Sequence, residues 1–477
     1  MIKKVVTIVL TAVLIAAAVC GFSSGGPNGT GSRDTDVPVS GQGGTSEHAE
    51  TKEPVDELYR DLPDGSYGGA DFTILQYDDQ GAQFTALIDV DEDDGTLINS
   101  DLYYRTLNVE DKLNVDISLR TFLTTGEVTD AIREDANSGD GVFDAFSTHS
   151  AFVPTHILND EVLNLRNYSS FDFSKPWWNE SVNNALTFGD KLYVSYGYIN
   201  ISLLDGQMVI AFNKEMAETY GLGDVYSMVD GKEWTLGKFL EICRKFEQID
   251  DTYAVTAYPY LGAPALIYGM DVSLFSKNSE GYYDYNGLSD KFYEVRTKIF
   301  DIMQNDNIAN IDWATYTQSF SSGQALFTVK SLGSLRVFRN EHIDYGIIPF
   351  PMYSEDQGQY LSYTTNQVQG ICIPSSCKDP EMAAVVLENM CAETYRLIRE
   401  DYYETLVNEK LLRDEQSKSM IKMILSSKFL MPIENMFDLG TGTIADLFET
   451  RDAATVIAER EDEIRTKLAE ITAKFRQ

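Results

Sequence analysis

The chain has 477 residues and carries 74 acidic against 38 basic side chains, which gives a formal net charge of −36. A surface this acidic repels phosphate backbones and anionic lipid headgroups, so nucleic acid is excluded as a partner. Roughly four hundred residues follow the polar N-terminal region. One hydrophobic core rarely serves so long a segment, and we therefore expect two folded units.

The first residues predict export. Two lysines precede an apolar run that is too short to span a bilayer comfortably, so we interpret residues 1–19 as a secretory signal peptide. Cys20 follows and resembles the lipidated cysteine of bacterial lipoproteins, which predicts anchoring at the extracellular face of the cell membrane. In the alternative, an ordinary secretory signal, Cys20 is incidental. Residues 20–70 are predicted to form a flexible tether, because they are poor in large apolar side chains.

Strands and helices alternate from residue 71 onward, which is typical of an α/β layer with parallel strands. Asp379 and Pro380 have the residue types of an N-cap and a first helical position, and the chain beyond Cys391 is predicted to be almost all helical. The other predicted elements are the strands Asp71–Tyr77, Val115–Leu119, Val142–Phe146, Lys191–Tyr196, Met208–Phe212, Ala325–Val329, Tyr345–Ile348 and Gln369–Ile373, and the helices Ile98–Leu113, Val128–Asn137, Asn213–Tyr220, Trp234–Phe246 and one through Phe292 and Met303.

No metal or cofactor pattern is present in the sequence. The segment 89–95 is acidic, but the positions where a calcium-binding EF-hand needs glycine and glutamate hold Asp94 and Ser100, so a solvated acidic turn is predicted. Phosphate loops, dinucleotide fingerprints and zinc-ligand spacings are missing, and we expect neither cofactor nor metal. Cys372 and Cys377 either bridge a short turn or remain small unpaired hydrophobic residues.

Catalysis has no sequence support either. Carboxylates are abundant at this net charge, and their spacing selects no pair for glycoside hydrolysis. Tyrosine and phenylalanine are frequent, and Trp177 and Trp178 are adjacent. Aromatic faces flanked by polar groups suit sugars, although a tryptophan with so large an apolar body is more often part of a core.

Several segments resemble those of a known family. The chain resembles the extracellular solute-binding proteins of ATP-binding-cassette importers, in the sugar-binding group that includes maltose-binding protein. A branch of this family that is found in anaerobic Gram-positive bacteria has segments similar to Ile98–Arg105 and Lys175–Asn179. Four patterns of the family have counterparts in this chain. Gly189–Tyr193 with Ala211–Lys214 resembles G-K-L-Y…Y-N-K, and Phe320–Phe327 resembles F-x-x-G-x-A-x-M. Tyr345–Pro351 resembles Y-G-x-x-P-x-P, and Cys377–Ala384 resembles S-K-D-P-E-A-A.

The resemblance implies the α/β fold of type II periplasmic binding proteins, with two lobes, a hinge and a ligand cleft between them. Lobe one is then residues 71–202 and 372–428, and lobe two is residues 206–362 and 429–477. Chain crossings are expected near Ile201–Gly206 and Tyr363–Gln369. The implied function is capture of a small solute, with a mono- or oligosaccharide as the preferred class, by a monomer that delivers it to importer permease subunits. A secreted glycan-active enzyme and a ligand sensor on the same fold are the alternatives.

The same resemblance points to candidate ligand-binding residues at strand ends and crossings. Asp205 is the preferred candidate, because it is predicted at a crossing, where both lobes meet. Trp178 is either an aromatic platform for the ligand or a core residue. The full set is Tyr77, Asp78 and Asp79 after the first strand, Ser147, Thr148 and His149 after the third, Trp178, Asn200 and Asp205 toward the first crossing, and Arg336 in lobe two.

Overall fold

The computed structural model describes residues 57–78, 88–409, 411–437, 439, 447, 450 and 452–477. The predicted signal peptide, Cys20, most of the predicted tether and Asp79 lie outside the described residues.

The secondary structure of these residues follows the predicted alternation of strands and helices. The strands are β1 (Ala70–Tyr77), β2 (Val115–Phe122), β3 (Ala145–His149), β4 (Met208–Asn213), β5 (Tyr253–Ala257), β6 (Phe275–Lys277), β7 (Tyr283–Tyr285), β8 (Ala309–Asn310), β9 (Ala325–Ser331), β10 (Tyr345–Ile348), β11 (Ser362–Tyr363), β12 (Gln369–Cys372) and β13 (Phe429–Leu430). The helices are α1 (Leu97–Leu113), α2 (Thr125–Ser138), α3 (Val153–Leu158), α4 (Glu180–Leu186), α5 (Ser202–Asp205), α6 (Lys214–Thr219), α7 (Val225–Asp230), α8 (Leu236–Phe246), α9 (Pro259–Gly269), α10 (Asp290–Met303), α11 (Tyr316–Ser321), α12 (Pro380–Asn408), α13 (Glu415–Ser426), α14 (Ile433–Met436) and α15 (Ala453–Arg476).

The first large sheet has the strand order β12-β3-β1-β2. Strands β2 and β3 are parallel to β1, whereas β12 is antiparallel to β3. Parallel neighbours need a crossover connection, and helices α1 and α2 supply the two crossovers. The prediction of β1 and α1 is confirmed to within one residue at each end.

Local capping explains why α2 begins before the predicted Val128. The Thr124 hydroxyl accepts a hydrogen bond from the Glu127 amide at 3.2 Å, and the Glu127 carboxylate accepts one from the Thr124 amide at 3.1 Å. This reciprocal pair is a capping box, which satisfies two amides that a helix start otherwise leaves open. Helix α2 therefore starts at Thr125.

The third strand is shifted along the chain from its predicted position, Val142–Phe146. The Val142 amide donates to the Asp135 carboxylate at 2.8 Å instead of joining the sheet ladder. Strand β3 consequently begins at Ala145 and continues to His149, which places His149 at its carboxyl end.

The second large sheet has the order β10-β4-β9-β5-β8. Strand β5 is parallel to β8 and β9, and β4 is antiparallel to β9 and β10. The predicted strand Lys191–Tyr196 is not formed, because this segment makes only single-residue bridges, such as Ser195 with Ile371. Trp234 precedes α8 instead of opening it, since Thr235 caps the helix and the indole of Trp234 donates to the Pro349 carbonyl at 2.9 Å.

Two crossing segments, residues 200–207 and 364–369, connect the sheets side by side. Gln207 and Thr364 form an antiparallel bridge, and the Thr365 amide donates to the Gly206 carbonyl at 3.3 Å. A Cβ atom on Gly206 would lie 2.1 Å from Val368 Cγ1. Glycine is therefore required where the two segments meet. The segments coincide with the crossings that the sequence predicts.

The helices after the second crossing pack on both sheets. Helix α12 lies against α1, whereas α13 contacts β10, and the Ile347 amide donates to the Ser417 hydroxyl at 3.0 Å. Helix α13 falls within the range 372–428 that we predicted for lobe one, but it packs on the sheet of lobe two. A single large core cluster joins residues of both sheets, including Phe146 and Phe327.

The residues just before β1 are packed, although the tether was predicted to extend to residue 70. The ring of Tyr59 stacks on Trp177 with centroids 5.6 Å apart, and Asn389 donates to the Pro63 carbonyl at 2.9 Å. Leu58 and Leu62 also contact the core of the first sheet. These few apolar side chains are sufficient to fix residues 57–69 on the surface of the folded part.

The acidic segment and the cysteines have structural roles. Asp89 is buried and forms an ion pair with buried Arg105 at 3.3 Å, so it is not part of a solvated turn as predicted. The described cysteines, Cys243, Cys372, Cys377 and Cys391, are buried and free, which decides against the bridged alternative. Within the described ranges, no cluster of three or more metal-ligand side chains occurs, and no helix is long and apolar enough for a bilayer crossing.

Candidate ligand-binding cleft

The carboxyl ends of the parallel strands in both sheets lie toward the crossing segments. In the first sheet, β1 ends at Tyr77 and β3 ends at His149, whose neighbour Ser150 donates its amide to the Val368 carbonyl at 3.0 Å. In the second sheet, β9 ends at Ser331, opposite Met208 at the start of β4. In open α/β sheets, ligands bind outside the carboxyl ends of the strands, so this geometry defines a cleft beside the crossings.

A cavity of about 200 Å³ lies on the second-sheet side of this cleft. Strand ends, the loop before α11 and the second crossing all contribute to it. Its described lining residues are Met208, Tyr258, Trp313, Tyr316, Val329, Lys330, Ser331, Ser334, Thr365 and Gln367.

Three aromatic side chains dominate the cleft wall, and we call Tyr258, Trp313 and Tyr316 the aromatic wall. The ring of Tyr258 lies 6.3 Å from those of both Trp313 and Tyr316. Trp313 is 67% exposed. Tryptophan is highly buried on average, so a solvent-facing indole beside a cleft makes this wall a candidate interaction surface.

Polar atoms complement these rings. The buried Gln367 Oε1 accepts no hydrogen bond from any of the described residues. The hydroxyls of Ser331 and Ser334 lie 2.6 Å apart. A buried acceptor without a donor is costly, and a ligand hydroxyl that reaches Gln367 would satisfy it.

The cleft also contains a buried cation. Lys330 is only 7% exposed, and its Nζ donates to the Tyr316 hydroxyl at 3.2 Å and to Thr317 Oγ1 at 3.0 Å. The ammonium also lies 4.4 Å from the centre of the Tyr316 ring. Burial lowers the pKa of Lys330, since desolvation penalises the charged form.

The candidate residues of the first sheet lie at or near the strand ends. The Tyr77 and His149 rings are 4.7 Å apart at the edge, and the Asp78 amide donates to the Phe122 carbonyl at 2.9 Å. Burial lowers the pKa of His149 to about 4, so the imidazole is neutral at physiological pH. Ser147 and Thr148 are fully buried in the strand, and their contact with a ligand stays a prediction.

The candidate residues of the first crossing form a buried cluster. Asp205 is fully buried; its Oδ2 accepts from Arg336 Nη1 at 2.8 Å and its Oδ1 from the Tyr402 hydroxyl at 2.7 Å. We call Asp205, Arg336 and Tyr402 the crossing cluster. Arg336 also pairs with Glu409 at 2.8 Å, and buried Asn200 accepts from the Ser202 amide at 2.9 Å. We predicted ligand contacts for Asp205, Arg336 and Asn200, and those contacts stay a prediction. In this structure Asp205 joins the crossing to Arg336 and to Tyr402 of α12, and Asn200 bonds within the crossing.

Trp178 is a core residue. It is 3% exposed, and its indole donates to Glu388 Oε2 at 2.7 Å, while Trp177 donates to Glu388 Oε1 at 2.9 Å. Burial raises the pKa of Glu388 to about 7. Of the two possibilities that the sequence left open for Trp178, the structure therefore favours the core.

The sequence analysis placed only Arg336 in lobe two, and it named none of the residues that line the cavity on the second-sheet side. Thr365 and Gln367 lie within the predicted second crossing, so the crossing itself was the available signal. Trp313 and Tyr316 lie seven and four residues before the predicted motif Phe320–Phe327, and only the tertiary structure brings them to the strand ends.

A larger cavity of about 800 Å³ lies between α4, the β6–β7 hairpin and residues 428–433. None of its described lining residues belongs to a carboxyl strand end of the two large sheets. We therefore place the candidate site in the smaller cleft beside the crossings.

Two α/β lobes, two crossing segments and a cleft at the strand ends define the fold of type II periplasmic binding proteins, the class to which the fold and site point. The family model described as bacterial extracellular solute-binding protein matches residues 108–394, more than half of the chain. The chain belongs to this family of solute-binding proteins.

Solved structures have the same fold at low sequence identity. An ABC substrate-binding protein from Listeria monocytogenes, in complex with cycloalternan, is similar at 12% identity with a TM-score of 0.55, over 84% of this chain and 99% of that one. A cyclo/maltodextrin-binding protein complexed with maltotetraose is 12% identical with a TM-score of 0.57, over 84% and 97%. The GacH receptor of Streptomyces glaucescens, solved unliganded and with acarbose, is 13% identical with a TM-score of 0.52, over 84% and 99%. Among curated proteins, no relative matches the sequence.

Proposed function

We propose that this solute-binding protein captures a saccharide in the cleft and delivers it to the permease of an ATP-binding-cassette importer. The observation that carries the proposal is the aromatic wall: three rings, one of them 67% exposed, at strand ends beside the crossings. Sugar rings present C–H faces that pack on aromatic faces, and their hydroxyls fit neighbouring acceptors such as Gln367. The similar structures hold cycloalternan, maltotetraose and acarbose, which supports this solute class.

Binding without turnover is part of the proposal. Among the described residues that line the cavity on the second-sheet side there is no carboxylate, whereas glycoside hydrolysis normally needs a pair of them. Incubation with a bound oligosaccharide should return it unchanged in mass and linkage. Release of shorter products in proportion to protein concentration would contradict the proposal and support a glycan-active enzyme.

A panel of ligands tests the solute class. Thermal unfolding is measured with mono- and oligosaccharides, and with peptides and polyamines as comparison classes. A ligand that binds only the folded state raises the melting temperature as its concentration exceeds the Kd. Shifts with saccharides alone support the proposal, whereas shifts with peptides or polyamines alone would overturn it. Uptake of the sugar into vesicles that contain the permease subunits then tests delivery.

Lipid anchoring through Cys20 remains part of the same proposal. A single acyl chain attaches a protein only marginally, so the two chains of a diacylglycerol would give stable attachment. Cys20→Ser is expected to release the protein into the medium or to leave it unprocessed. Normal processing with unchanged membrane retention of the variant would contradict the anchor.

A further inference from the structure

Lys330 is unusual within this molecule. The chain contains 74 acidic and 38 basic side chains, yet Lys330 is the one formally charged side chain among the described residues that line the cavity of about 200 Å³. It is 7% exposed. Buried ammonium groups are normally paired with a carboxylate, because burial of an unpaired charge is expensive.

The partners of Lys330 are neutral. Its ammonium has three protons, and two of them are donated to the hydroxyls of Tyr316 and Thr317. Within the described part of the chain, no carboxylate forms an ion pair with it. The cation–π contact with Tyr316, at 4.4 Å, offsets only part of the desolvation.

We propose that Lys330 pairs with an anionic oxygen group of the ligand, so that the cleft takes an acidic saccharide such as a uronate-containing or sulfated oligosaccharide. This inference rests on the proposed function and deepens it. One ammonium matches one negative charge, and the aromatic wall beside it receives the sugar ring that carries the charged group. The hydroxyls of Tyr316 and Thr317 hold the ammonium in place, so little ordering is needed when the ligand binds.

The net charge of the whole chain does not oppose this pairing at close range. Exposed charges further away than about 8 Å are largely screened at physiological ionic strength, whereas a partly buried pair is screened much less. The distant acidic surface therefore lowers the association rate of an anion more than the stability of the bound complex. A charge-assisted hydrogen bond in the cleft contributes at short range.

The test compares acidic saccharides with matched neutral ones. Digalacturonate is titrated calorimetrically against the neutral galactose disaccharide of the same linkage, and a sulfated disaccharide against its unsulfated parent. In at least one pair, the wild-type protein is expected to bind the acidic saccharide about tenfold or more tightly than the neutral one. A hydrogen bond to a charged group usually contributes this much affinity. The two pairs distinguish a carboxylate from a sulfate ester.

Lys330→Met removes the charge and retains the length of the side chain. This variant should lose the preference for the acidic saccharide, and Lys330→Arg should restore part of it. Lys298→Met is the matched control, since Lys298 lies in the same lobe on α10 and pairs with Glu294 on the surface. Because Lys330 has neutral partners, the methionine variant should melt at the same or a higher temperature.

The outcomes separate the two proposals. Equal or tighter binding of the neutral members, with no effect of Lys330→Met, would overturn the acidic ligand and leave saccharide capture in place. If no saccharide of either kind shifts the melting temperature and peptides or polyamines do, both proposals fail. A large drop in melting temperature for Lys330→Met without any change in ligand preference would assign Lys330 a structural role and overturn this inference.

Discussion

The crossing cluster and the aromatic wall both lie beside the crossing segments, but their polar and exposed groups are in opposite states. In the crossing cluster, both carboxylate oxygens of Asp205 are bonded and the carboxylate has no exposed surface. In the aromatic wall, the Trp313 indole faces solvent, and the nearby Gln367 Oε1 has no donor among the described residues. Buried polar groups whose hydrogen bonds are all made within the protein hold a fold together. Polar groups that lack a hydrogen-bond partner and lie beside exposed rings remain available to a ligand.

The largest effect is expected at the crossing cluster. Asp205→Ala leaves the partly buried Arg336 and the buried Tyr402 hydroxyl without their shared acceptor, and loss of one partner of a buried ion pair costs about 3–5 kcal/mol. The free energy of unfolding should fall by that amount in chemical denaturation, while the folded fraction keeps its ligand affinity. Glu409→Gln is the matched control at the exposed side of Arg336 and should cost less than about 1 kcal/mol. A stable Asp205→Ala variant with lost affinity would return Asp205 to the ligand site.

Trp178→Ala tests whether Trp178 belongs to the core, like the crossing cluster, or to the ligand site. Removal of a buried tryptophan creates a cavity and should lower the free energy of unfolding by about 3–5 kcal/mol. The indole also stops donating to Glu388, whose other donor, Trp177, remains. Denaturation and calorimetric titration on the same preparation separate the effects. Unchanged stability with weakened ligand binding would identify Trp178 as a platform for the ligand.

Trp313→Ala is the counterpart in the cleft. Its side chain is 67% exposed, and substitutions at such surface positions usually change stability by no more than about 0.5 kcal/mol. Affinity for the bound saccharide should fall by about 1.5–3 kcal/mol, the value of burying a large apolar side chain against a ligand. Titration of the variant at wild-type stability is the measurement. Wild-type affinity in this variant would remove Trp313 from the ligand site.

The effect that is smallest per step, at about 1 kcal/mol per pH unit, is a pH dependence that arises from a buried carboxyl. Glu434 is fully buried and accepts from the Tyr268 hydroxyl at 2.9 Å, and burial raises the pKa of Glu434 from 4.5 to about 7. The folded state binds this proton more tightly than the unfolded state, so its contribution is complete below about pH 4.5 and is lost as the pH rises to about 7.

The Glu434→Gln variant should show a shallower fall of unfolding free energy between these pH values, by about 1 kcal/mol per pH unit. Glu388, whose pKa burial also raises to about 7, continues to contribute in the variant. An unchanged slope in urea denaturation at several pH values would contradict the assignment to Glu434.

Local pattern predicted much of the fold. Strands such as β1 and β10 are short apolar runs with clear boundaries, and the Asp379 cap was correctly predicted because its carboxylate accepts from the Met382 amide at 2.9 Å. The segment Lys191–Tyr196 was predicted wrongly: its composition fits a strand, but at the free edge of β12 it forms only one bridge, Ser195 with Ile371. A strand needs a neighbour that runs beside it over several residues, and the sequence does not state how far two segments stay together.

The sequence by itself determined the family, the α/β class and the approximate positions of the crossings, because each of these is encoded in runs of adjacent residues. It also predicted a candidate site at the strand ends. Tertiary structure alone decided which side chains line the candidate cleft. Asp205 and Trp313 are a charged and an aromatic residue of the kinds that ligands use, but one meets Arg336 and Tyr402 across long stretches of chain and the other meets solvent. Burial depends on contacts between distant segments, so only the folded chain distinguishes a residue that supports the cleft from one that lines it.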